Sequence, residues 1–165
     1  MAELTNLESK LGEVLGLAMA AQGATQKVMK LADEEDASDL VSTLERMQRE
    51  AEETEERCTE LAGSFEGKKT AILEKARETK GEATEMMSTY LGDDADALDG
   101  FEFLTMAEAG EVGHWAIVGV MAEKAGHREL REVVEWVTPI QQRHFQETLE
   151  GSLQLAREGD PHETA

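Results

Sequence analysis

Glu111-Val-Gly-His114 and Gln141-Gln-Arg-His144 are the segments of this chain whose residue types and spacing suggest chemistry. On a helix, residues three apart lie close on one face, so Glu-x-x-His aims a carboxylate and an imidazole at nearly one point. Bundles that hold two iron or manganese ions use this device twice and add a Glu from each of two further helices. Here the first segment is a literal match and the second substitutes an amide for the acid. Glu108 lies one turn before Glu111 on the same expected stripe. The candidate metal ligands are therefore Glu108, Glu111, His114, Gln141 and His144, with Gln22 and Glu55 as the nearest contributions from the first half of the chain. A central Gln22 also fits an amide paired with a neighbouring helix. A metal-free core in which these groups hydrogen-bond to one another is the competing reading, since buried acids and imidazoles are satisfied by partners or by metal.

The elements that would position these residues are helices. Apolar residues recur at steps of three and four over about 4–32, with Leu4, Leu7, Leu11, Leu15, Ala18, Gln22, Thr25, Met29 and Ala32 on one face. A second helix over about 39–63, capped at Ser38 or Asp39, presents Leu40, Leu44, Met47, Ala51, Thr54, Cys58 and Leu61. The acids flanking that seam, Glu50 to Glu56, read as a solvated face, with Glu55 bordering the core. A thinner stripe over 70–91 suggests a crossover segment covering one side or end of the bundle. The helix over 101–124 is apolar on two sides and contains Gly110 and Gly113, which suits close approach of a neighbouring helix or subunit. The last helix, over 129–158, carries Leu130, Val133, Val137, Gln141 and His144 inward and contains Pro139, which is expected to kink it. Beyond His144 its stripe weakens through Thr148 and Ser152, while Phe145, Leu149 and Leu153 offer a competing edge. The acids Asp93 to Asp99 fit a helix N-terminus better than a calcium loop, because they lack the alternation and closing Glu of such loops.

Composition agrees with an all-α chain: two prolines, 4% aromatics and abundant Ala, Leu, Met, Glu and Gln among 165 residues. One domain over 1–158 with a frayed tail over 159–165 is expected. The 36 acidic against 16 basic side chains, net −20, argue against nucleic acid and anionic membrane as partners. The acidity fits solubility, a high-salt habitat or loose cation buffering. A single cysteine, Cys58, excludes an internal disulfide and reads as a core residue. No secretory leader and no apolar run long enough to cross a membrane is recognisable, so a cytoplasmic protein is expected. Phosphate loops, nucleophile triads, zinc-ligand cysteine pairs and dinucleotide fingerprints are not recognisable either. No small-molecule substrate can be named.

Over most of its length the chain resembles the ferritin-like bacterial stress-associated proteins of the YciE/YciF type. The resemblance rests on Glu52-Glu53-Thr54-Glu55 followed by Leu61 and Phe65, on His114-Trp115 with Ile117, on the Gly126 stop and on His144. It implies a ferritin-like four-helix bundle of two helical hairpins with an additional crossover helix, a homodimer, and in some members a metal centre. Against that pattern, Ala21 and Gln22 stand where a Glu is expected and Arg57 where a His is expected. Gly113-His114-Trp115-Ala116 stands for Glu-His-Tyr-Glu, and Gln141 replaces a Glu. An amide is a poor ligand for hard divalent iron or manganese. The reading is a non-catalytic, stress-related structural or interaction protein with a degenerate metal centre. The alternative is an iron- or manganese-dependent oxidoreductase or metal-binding protein with a reduced carboxylate/histidine site.

Overall fold

The computed structural model describes residues 2–164. Met1, and Ala165 at the end of the expected tail, lie outside the described residues. Five helices follow one another: α1 (Asn6–Glu34), α2 (Ser38–Ala62), α3 (Lys69–Tyr90), α4 (Ala97–Ala125) and α5 (Arg128–Glu158), with no strand among the described residues. None of the helices is long and apolar enough to cross a membrane.

Local chemistry sets the helix ends. Thr5 and Glu8 cap α1 reciprocally, each side chain taking the other's backbone N–H. Asp96 and Asp99 do the same for α4, which starts four residues earlier than the apolar stripe suggested. That pairing accounts for part of the Asp93–Asp99 cluster. The expected Ser38 or Asp39 cap of α2 is absent. Ala37 holds that position without a side-chain bond, and Asp36 turns the chain at φ 58°. Asp is one of the few residues that tolerates this left-handed conformation. Gly126, at φ 66°, closes α4, and the His127 ring caps α5 while stacking on Phe65 at 4.7 Å.

Helices α1, α2, α5 and α4 make a closed ring of neighbours, each packed on the next, while α3 lies outside against α1. The α1–α3 seam is a close backbone approach. A Cβ on Gly16 would come within 2.4 Å of the Ala76 carbonyl oxygen, and one on Gly12 within 2.8 Å of Lys75. Gly110 and Gly113, expected to admit a neighbour, instead face open space. Helix α5 runs unbroken through Pro139. Its buried face does not shift beyond His144: Thr148, Gly151, Ser152 and Leu155 stay inside, and Leu149 and Leu153 are exposed. The hydroxyls can stay inside because each bonds the carbonyl one turn earlier, Thr148 to His144 and Ser152 to Thr148, both at 3.0 Å.

Two apolar clusters fill the interior. One contains Leu11, Leu15, Cys58, Ile72, Trp115 and Val137; the other contains Val28, Leu44, Met47, Phe101, Leu104 and Leu155. Fully burying each large side chain is worth about 1.5–3 kcal/mol. Buried polar residues from four helices, Thr25, Thr54, Glu108, Glu111, Gln141 and His144, gather around one small cavity.

Candidate buried polar centre

Glu108 is the hub. Its carboxylate, on a side chain only 2% exposed, accepts a hydrogen bond from the Gln141 amide and lies 3.6 Å from Nδ1 of His144. Register across the α4–α5 hairpin produces this arrangement. Residues joined by the short Gly126–His127 link lie side by side, and Glu108 meets both inward polar residues of α5. Gln141 turns to Glu108 rather than to Glu111, and Gln142 is exposed.

The other imidazole nitrogen of His144, Nε2, stands 2.5 Å from Glu50 on α2. Glu50 in turn pairs with Arg143 at 2.5 Å and lies 4.0 Å from Arg46. A line of charge thus runs from Glu108 in the core through His144 to guanidinium groups at the surface. Glu50 was assigned to the solvated acid run. Its position, three residues after Met47 on the buried seam, was the available signal, but the partner that holds it sits 94 residues away.

The α1 side of the centre contributes Ala18, Ala21 and Thr25, none of them acidic. Thr25 bonds its own helix at Ala21 and Gln22, as Thr54 bonds Glu50 on α2. Gln22 is half-buried and donates to Glu55, also half-buried, so this pair stands apart from Glu108 at the edge of an acidic surface groove. His114 is not brought to the centre. Its Nδ1 is 2.8 Å from the Gly110 carbonyl, so it carries the proton, and its Nε2 is 4.0 Å from Glu13 on α1, with the side chain 39% exposed. A step of three residues on a helix leaves a 60° offset, enough to carry His114 onto the α1 flank while Glu111 stays inside.

Burial and neighbours set the protonation states. Glu111 is pushed well above the carboxylate range by burial and then by the charge of Glu108. Burial alone would lower His144, but the adjacent carboxylates Glu108 and Glu50 outweigh it and hold the imidazole above its ordinary value. Glu50 also loses solvent, yet His144 and Arg143 hold it below its ordinary value. Burial and the neighbouring Glu108 thus favour the protonated form of Glu111, while Glu108 and Glu50 favour the protonated imidazole of His144. The cavity of about 10 Å³ that Glu108, Glu111, Gln141 and His144 share with the two threonines is barely the size of one water.

A two-metal centre does not fit these residues. Among the described residues no three His, Cys, Asp or Glu side chains converge at metal-ligand spacing. The amide of Gln141 holds the Glu108 carboxylate, and α1 presents alanine where a bridging acid would stand. No family model, curated protein or solved structure matches the chain.

Proposed function

We propose that this chain is a ferritin-like bundle of the YciE/YciF type that acts in the cytoplasm as a stress-related structural or interaction protein. It does no metal chemistry, and hydrogen bonds and ion pairs hold its centre. The observation that carries this reading is the use of the donor atoms: Gln141 binds Glu108, and both nitrogens of His144 face carboxylates. A metal would have to displace these contacts, which are already complementary in charge. The test is elemental analysis of protein grown with iron and manganese, beside Glu108→Ala and His144→Ala. Equal, negligible metal in all three and no consumption of peroxide support the reading. Stoichiometric metal with peroxide or oxygen turnover overturns it.

One observation favours a second reading, a single iron or manganese ion drawn in by Glu108, Glu111 and His144 once their present contacts are given up, in an oxidoreductase or metal-binding protein. The Glu111 carboxyl, raised by burial and by Glu108, gains nothing from a hydrogen bond and borders the cavity. A divalent cation is the ligand that could replace its proton. This reading expects stoichiometric binding that strengthens with pH and is lost in Glu111→Gln. PH-independent trace binding sinks it.

A further inference from the structure

The sulfur atoms of the described residues are sorted by burial. Cys58 is fully enclosed, and Met47 is 1% exposed. Met19, Met29, Met87 and Met121 are half-buried. Met86, at 61%, and Met106, at 45%, stand in solvent on α3 and α4. An exposed thioether is open to a two-electron oxidant without any unfolding, and its sulfoxide is polar where the thioether is apolar. The two residues also share a place in the fold. Tyr90 of α3 and Phe103 of α4 lie with ring centroids 6.0 Å apart, tilted by 45°. Met86 stands one turn before Tyr90, and Met106 one turn after Phe103, so each thioether shares a helical face with one ring of the pair. That pair matters because α3 is held unevenly. Its first half lies on Gly12 and Gly16 through Ile72, Ala76 and Thr79. From Lys80 to Tyr90 every residue is exposed except the half-buried Ala83 and Met87. A Cβ on Gly23, two turns beyond Gly16 on α1, would meet no atom within 4 Å, so the close seam has opened there. Beyond it, Leu91 is buried and its carbonyl accepts a hydrogen bond from Lys27 at 3.1 Å.

We infer that Met86 and Met106 are oxidation sites for hypochlorous acid, and that their sulfoxides loosen the C-terminal half of α3 from α4. The sulfur lone pair attacks chlorine, the Cl–O bond breaks and hydroxide leaves. Water then bonds to sulfur, chloride departs and two protons are released, one of which neutralises the hydroxide. The net change converts one thioether and one hypochlorous acid into one sulfoxide, one chloride and one proton. Sulfur loses two electrons and chlorine gains them. The net charge of −20 holds anionic oxidants away, whereas hypochlorous acid is neutral. A thiolate would compete for the oxidant, but Cys58 is enclosed and burial keeps its thiol protonated. The oxygen added at each methionine draws that side chain toward water and away from its ring. The Tyr90–Phe103 contact then loses its apolar cover on both helices, and the span from Lys80 to Tyr90 has little else to hold it.

The test treats the full chain with hypochlorous acid at one equivalent per exposed methionine and maps the product by peptide mass spectrometry. Met86 and Met106 are expected to gain one oxygen each while Met47 stays reduced. Deuterium exchange of the amides from Glu82 to Tyr90 then speeds about two- to ten-fold, the effect of losing a thioether–ring contact of ordinary strength. Exchange from Ile72 to Thr79 is unchanged. Methionine sulfoxide reductases acting on both epimers reverse the acceleration. The double variant Met86→Leu, Met106→Leu keeps apolar side chains at both positions, and the same treatment leaves its exchange unaltered. Oxidation of Met47 as early as Met86 overturns the proposal. Unaltered exchange in the oxidised chain, or equal acceleration in the double variant, overturns it as well.

Discussion

Glu111 holds its proton because two effects act in the same direction: loss of water and a neighbouring carboxylate. The unfolded chain releases that proton near the ordinary value of 4.5, while the folded chain releases it only at higher pH. Stability contributed through Glu111 therefore falls as pH rises from that value through the folded one. His144, raised above 6.5, acts in the same sense. Its ion pairs contribute fully below 6.5 and are lost as pH climbs through the folded value. Glu50, held below its ordinary 4.5, works oppositely and loses its contribution only in acid. The expected result is a thermal midpoint that declines between pH 6.5 and alkaline conditions, and declines less in Glu111→Gln. Parallel decline in both proteins, measured by circular dichroism, would remove Glu111 from the account. His144→Ala leaves Glu108 buried without its counter-charge and should cost about 3 kcal/mol in denaturant unfolding. A loss below about 1 kcal/mol means the pair is solvated. Glu50 is partly exposed, so its removal costs less than that of His144.

At the scale of elements, the five helices were legible because each carries a stripe at steps of three and four. The limits of that reading are equally physical. Gly12 and Gly16 are the surface on which α3 lies, and periodicity of large residues cannot report a seam made by their absence. Replacing Gly16 with Ala forces a Cβ to 2.4 Å from the Ala76 carbonyl and should destabilise by about 1–3 kcal/mol despite better helix propensity. Gly23→Ala, on the same helix where a Cβ meets nothing, should stabilise by about 0.5–1 kcal/mol. Equal effects at the two sites would contradict the close α1–α3 approach. Of the candidate site, Glu108, Glu111, Gln141 and His144 were readable from their shared stripes. Glu50 was not: its spacing from Met47 places it beside the seam, but the acid run around it looks solvated and its partner His144 lies on another helix. His114 was misplaced because three residues on a helix are near one another without being on one radius.

For the whole molecule, the charge balance is the dominant long-range term. With 36 acids against 16 bases, most surface charges repel one another, and folding brings them closer. Salt shortens the reach of that repulsion from about 30 Å at 0.01 M to about 8 Å at 0.15 M. The thermal midpoint should therefore rise over this range, and a fall would show that the ion pairs around Glu50 outweigh the general repulsion. The lone thiol offers a separate view of the same molecule. Cys58 is fully buried in the cluster with Leu11 and Trp115, and burial pushes its pKa up to about 12. It cannot react while that cluster stays closed. The chain thus carries a single built-in clock, and its alkylation rate counts how often α2 parts from α1 and α5.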